Sequence, residues 1–170
     1  ERQTVDITKG SSEWTAISRV YLDAAGEVIR RNCKSVDPSL VYTDTTNRND
    51  VVSLKMVNDG ENLYIRVETK SPVTEYEEGD EEWMNVYIAT GASGGWKNYN
   101  YIVNRRPNAD GTTSVQKLNG TVLEEAGAAR YFCQGNYIFY EIPLSALGVT
   151  AGDEIQLKIT DNIQNFMYID

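Results

Sequence analysis

The chain contains no histidine among its 170 residues. That absence removes Ser-His-Asp and Cys-His catalysis, both of which need an imidazole base. It also removes His-ligated zinc and non-haem iron. Two cysteines, Cys33 and Cys133, are too few for a four-thiolate site. They either pair in an oxidising compartment or stand as separate apolar thiols. No apolar run approaches the roughly 20 residues of a membrane-spanning helix, so membrane insertion is not expected. Positive charge is scarce, with 16 basic residues against 25 acidic ones and a net charge of −9. A phosphate backbone would be repelled, so nucleic acid is not an expected partner. No signal peptide is visible, and a chain opening on Glu1 rather than methionine reads as a processed or trimmed fragment.

Short alternating runs divided by turn chemistry dominate what is present. Val52, Leu54 and Met56 alternate with Ser53, Lys55 and Val57, and Leu63, Ile65 and Val67 with Tyr64, Arg66 and Glu68. Asn58-Asp59-Gly60-Glu61 between them predicts a hairpin. Further strands are predicted around Met84–Ile88, Tyr99–Val103, Ser114–Leu118, Ala129–Cys133, Tyr137–Ile142 and Ile155–Ile159. Weaker ones fall at Thr15–Ile17 and Glu27–Arg30. Helical periodicity is nearly absent, save for a short turn over Leu144–Leu147 after Pro143. Such a pattern predicts an all-β, antiparallel β-sandwich, jelly-roll or immunoglobulin-like, with one or two helical turns. One domain is expected over 1–170, with the polar first twelve residues loosely held.

Four constellations stand out. Tyrosine and tryptophan (11 and 3) outnumber phenylalanine (3). Trp96 follows Gly94-Gly95, with Tyr99 and Tyr101 close behind. A flat aromatic face stacks on a sugar ring while amides and guanidinium groups bond its hydroxyls; equally, Trp96 caps the end of a sandwich. In the second constellation, strand alternation puts Asn98, Asn100, Ile102 and Asn104 on one face, either solvated or walling a polar cleft, with Arg105 at its end. Third is Asn47-Arg48-Asn49-Asp50, read as turn chemistry or as a pairing of Arg48 or Asp50 with the opposite loop. Fourth is the acidic run Glu75 to Glu82, read first as a solvated loop, with structural calcium the alternative. Asp161-Asn162 is a similar short cluster. Asn119-Gly120-Thr121 has the form of a glycosylation acceptor but reads more simply as a turn.

Taken in order, these segments resemble the family 9 carbohydrate-binding modules and the wider DOMON-like sandwich superfamily. The resemblance rests on Tyr42 to Asp50, Asn62-Leu63-Tyr64-Ile65-Arg66-Val67, Trp83 to Ile88, Gly95 to Tyr101, Val103-Asn104-Arg105, Glu141 to Leu144 and Lys158 to Asn162. It implies a sandwich without catalytic activity that holds a glycan. It also implies a secreted, periplasmic or cell-surface setting, beside an adjacent catalytic domain of a polysaccharide-processing protein from Bacteroides-type bacteria. By position, Trp83 and Trp96 are the expected aromatics, and Asn85, Tyr101, Asn104 and Arg105 their polar partners; Tyr99, close behind Trp96 in sequence, completes the expected carbohydrate-binding set. No cofactor is implied beyond structural calcium. The chain departs from the family pattern in two ways. Asn85 stands where an acidic residue is usual, and no tryptophan follows Trp96, leaving Phe166 or Tyr168 for that role. A structural or interaction domain, holding a neighbour in place and binding nothing small, is the rival reading; a carboxylate-dependent enzyme is a third.

Overall fold

A computed structural model describes residues 2–24, 31–34, 39 and 41–169. The weak strand expected over Glu27–Arg30 lies outside the described residues. The described strands are β1 (Tyr21–Leu22), β2 (Arg31–Lys34), β3 (Val41–Asp44), β4 (Val51–Asn58), β5 (Asn62–Thr69) and β6 (Asn85–Ala89). They continue with β7 (Tyr101–Val103), β8 (Thr112–Asn119), β9 (Val122–Gln134), β10 (Tyr137–Pro143) and β11 (Gln156–Thr160). Nine of them form one antiparallel sheet in the order β1-β4-β5-β10-β9-β8-β7-β6-β11, and β2 pairs β3 as a separate hairpin. The sheet curls around its apolar face into an all-β sandwich.

Alternation explains the curl. Leu63, Ile65 and Val67 of β5 and Ile138, Tyr140 and Ile142 of β10 project into one core. Val86 and Ile88 of β6 meet them from the other half. The β4–β5 turn forms where Asp-Gly predicts it. Gly60 takes a φ of 106°, and Asp59 Oδ1 accepts the Glu61 and Asn62 N–H groups at 2.9 and 2.8 Å. Partial burial pushes the Asp59 carboxyl upward, but bonds from Asn62, Tyr64, Glu61 and Thr4 outweigh it and hold the pKa at about 2. In β9 the strand runs well beyond the predicted Ala129–Cys133, because Glu124, Glu125 and their neighbours pair with β8 through a bulge at Val115/Gln116. The Asn119-Gly120-Thr121 segment forms the tight β8–β9 connection.

Two outer layers lie beyond the reach of strand patterning. Residues 2–17, expected to be loosely held over their first twelve positions, lie against the outer face of β4, β5 and β10. There Val5, Ile7, Trp14 and Ile17 bury against Val57, Tyr64 and Phe139. Thr15–Ile17 is a turn rather than a strand, since it closes the 3-10 segment Ile7–Trp14, whose start Asp6 caps by accepting the Thr8 N–H. At the other end, residues 163–169 fold back over β6, β7 and β8. Ile169 joins Tyr87, Ile102 and Leu118 there, with Phe166, Trp96 and Tyr99 packed alongside. The expected turn at Leu144–Leu147 is a 3-10 turn closed by Gly148 at φ 62°. Cys33 and Cys133 are free and form no disulfide; both residues are exposed, though partial burial of the Cys133 thiol pushes its pKa up to about 12. No helix among the described residues is long and apolar enough to cross a membrane.

Candidate functional site

The seven expected sugar-binding residues do not share an exposed face. Trp83 is 1% exposed in the main core. Its indole N–H reaches both the Thr74 carbonyl and hydroxyl at 3.1 Å. Its ring lies against Tyr76 and Tyr131. A ring covered on this scale has no free face for a sugar, which corrects the stacking role expected of it. Tyr101 is likewise a core side chain.

Asn85, Asn104 and Arg105 do come together, though around protein atoms. Asn104 sits at φ 78°, fully buried, and donates to the carbonyl oxygens of Trp83 and Met84 at 3.1 and 3.2 Å. Asn85 donates to the Glu81 carbonyl at 2.8 Å and to Glu82 Oε2 at 3.2 Å. Arg105, itself 5% exposed, meets Glu81 at 2.6 Å and Glu82 at 3.4 Å. Its guanidinium lies over the Phe166 ring, 4.8 Å from the centroid. Of the predicted amide face around β7, Asn98 is exposed, while Asn104 is buried rather than solvated or walling a cleft. Asn100 also turns inward, accepting from Thr90 and donating to the Ala92 carbonyl.

The acidic run divides accordingly. Glu75, Glu77 and Glu78 are exposed, as a solvated loop would be. Asp80, Glu81 and Glu82 are bound by arginines on either side. Burial drives the Glu82 pKa up to about 7, against the opposing pull of Arg105 and with help from Glu81 and Asp80. Among the described residues no three carboxylates or thiols converge where a metal ion would sit.

Trp96 and Tyr99 lie in the outer layer. The Trp96 indole N–H donates to the Met167 carbonyl at 2.8 Å, and Tyr99 meets Tyr87 edge to face with centroids 5.7 Å apart. Of the two placements read for Trp96, this is the capping one. Gly95 permits it: at φ 84°, an added Cβ would collide with the Tyr99 carbonyl.

A different place carries the geometry of a ligand site. A cleft of about 320 Å³ opens at the end of the sandwich where the β3 hairpin, the loop before β4, the end of β11 and the C-terminal segment meet. Tyr42 and Tyr168 line it as a pair packed edge to face, with centroids 6.0 Å apart and both rings half-buried. The chain matches no family model, no curated protein and no solved structure. The cleft must therefore be understood from its own residues.

Arg48 forms its floor. Nε lies 2.8 Å from Asp161 Oδ2, and a terminal nitrogen lies 2.8 Å from Asp80. The Asn47–Asp50 segment thus pairs with the opposite loop. Asp161 also accepts the Met84 N–H at 3.0 Å. Burial raises its pKa, and Arg48 together with the Met84 hydrogen bond only partly offsets this. On the rim, Asp44 Oδ1 accepts the Asn162 amide at 2.9 Å, and Gln164 accepts the Thr43 N–H at 3.0 Å. Thr160, 8% exposed, also lines the cleft. Its hydroxyl lies near the Tyr87 phenol, which donates to the Phe166 carbonyl, and it makes no hydrogen bond of regular geometry. A buried hydroxyl without a partner costs free energy unless something supplies one. Sequence reading missed Tyr42 and Thr160 as site residues. The available signal was weak, namely an aromatic cluster, Phe166-Met167-Tyr168, beyond the last strand.

Proposed function

We propose that this chain is a non-catalytic carbohydrate-binding-like module, of the family 9 kind, that holds a glycan for a secreted polysaccharide-processing protein. The ligand lies in the cleft beside the packed Tyr42–Tyr168 pair rather than around Trp83 and Trp96. The carrying observation is one cleft lined by this aromatic pair together with the polar side chains of Asn162 and Gln164. The half-buried tyrosine pair offers apolar ring surface for pyranose C–H groups, while Asn162 and Gln164 meet the hydroxyls. At about 320 Å³ the cleft falls at the low end of small-ligand sites, suited to one or two sugar rings rather than a buried chain.

A glycan array followed by calorimetric titration tests this. The expected result is a glycan whose binding is lost in both Tyr42→Ala and Tyr168→Ala. Silence across the array favours the structural alternative, a domain that positions its neighbour. The consumption of Arg48, Arg105, Asn85 and Asn104 in internal bonds supports that alternative.

A further inference from the structure

We propose that residues 163–169 form a latch that lifts and closes as a unit and completes the cleft when closed, and that Glu82 at its root makes closure firm in acid and weaker as pH rises. The latch stands apart from the glycan reading, since its closure is measurable without a sugar.

The segment is held differently from the strands it covers. Among the described residues, its one backbone–backbone hydrogen bond is internal, from the Tyr168 N–H to the Asn165 carbonyl. Its attachments to the sheet run through side chains. The Tyr87 phenol and the Trp96 indole donate to the Phe166 and Met167 carbonyls, each at 2.8 Å. Phe166 lies over the Arg105 guanidinium, and Ile169 buries beside Tyr87. A segment fixed at such points, without a ladder, opens locally while the strands beneath stay paired. It also supplies Gln164, Tyr168 and Ile169 to the cleft, so opening removes that wall.

Glu82 lies where the latch begins. Its carbonyl accepts the Asn162 N–H at 2.8 Å. Its side chain, 14% exposed, meets Arg105, which Phe166 covers. The groups facing it are Asp80 and Glu81 in its own loop, Asn85 and Tyr87 on β6, and Arg105 after β7. One step further out, Arg48 holds Asp80 and Arg106 approaches Glu81. Burial prevails over the pull of Arg105 and pushes the Glu82 pKa up to about 7. Lifting Phe166 admits water to this group of charges and returns the carboxyl toward its ordinary 4.5. The closed latch therefore binds the Glu82 proton more tightly than the open one. Its closure is firmest below about 4.5 and weakens as pH rises through about 7.

Hydrogen exchange at the Trp96 indole N–H tests this, with the Trp83 indole N–H in the main core as the reference for global opening. From about pH 5 to about pH 8, Trp96 protection should fall roughly tenfold or more relative to Trp83. Glu82→Gln should hold that ratio constant across the same interval. Phe166→Ala, which leaves the titrating group in place, should lower Trp96 protection at both ends of the interval and leave Trp83 unchanged. Trp96 and Trp83 losing protection together would overturn the latch, because the segment would then open only with the whole fold. A ratio that stays flat in the natural chain, or still falls in Glu82→Gln, would overturn the role of Glu82.

Discussion

Arg48 and Asp161 are 113 residues apart in sequence and meet at 2.8 Å, joining the loop before β4 to the end of the last strand. The pair is largely covered, with the Asp161 side chain 7% exposed and that of Arg48 21%. Asp161 in turn receives the Met84 N–H, and the Asn162 N–H donates to the Glu82 carbonyl at 2.8 Å. Three chain segments are thereby fixed around the floor of the cleft.

Removing Arg48 should therefore cost more than a surface pair would. Arg48→Ala leaves Asp161 buried and unpaired, with an expected loss of about 2–4 kcal/mol by urea denaturation. Arg48→Lys should recover little, because one ammonium cannot reach Asp161 and Asp80 as two separate guanidinium nitrogens do. A loss below about 1 kcal/mol would place the pair with ordinary surface bridges.

Glu82 gives stability a pH dependence of defined sign. Its carboxyl titrates at about 7 in the fold, against an ordinary value of 4.5. The folded state therefore binds its proton more tightly than the unfolded state, and its contribution to stability is lost as pH rises from about 4.5 to about 7. Glu82→Gln mimics the protonated form. Over that interval the melting temperature of the natural chain should fall relative to the variant, with no further divergence above it. Parallel curves would show that Glu82 titrates normally.

Asn104 performs two tasks that substitution separates. Asn104→Gly keeps the left-handed backbone and loses both amide bonds to Trp83 and Met84. Asn104→Ala loses the bonds and also strains the backbone. Both should destabilise, by about 2 kcal/mol or more for the lost bonds, with alanine worse than glycine by about 1 kcal/mol. Alanine equal to or better than glycine would mean that the positive φ carries no cost.

Thr160→Val distinguishes a ligand-facing hydroxyl from a structural one. Exchanging an unpartnered buried hydroxyl for a methyl should leave stability unchanged or slightly raised. If the hydroxyl serves the ligand, sugar affinity falls about fivefold or more in the same variant, consistent with one lost hydrogen bond. Unchanged affinity in a stable variant would remove Thr160 from the site.

Local periodicity carried the fold into the sequence. A strand's faces alternate every second residue, so Leu63, Ile65 and Val67, or Ile138, Tyr140 and Ile142, declare an inward face without reference to anything distant. The Asp-Gly turn and the short helical turn after Pro143 were equally local and equally visible. What covers the outer faces was not. Trp14 stacking on Phe139, and Ile169 beside Tyr87, depend on segments folding back across the sheet, and no short-range pattern records that. The same limit governs the site. Trp83 and Trp96 stand at the aromatic positions the family resemblance implies, and only tertiary packing decides that one fills the core and the other caps an outer layer. Absence of histidine, strand alternation and acidic balance are properties of the sequence alone. The cleft belongs to the tertiary structure, because Tyr42 and Tyr168 become neighbours only when the curled sheet brings the β3 hairpin to the end of the chain.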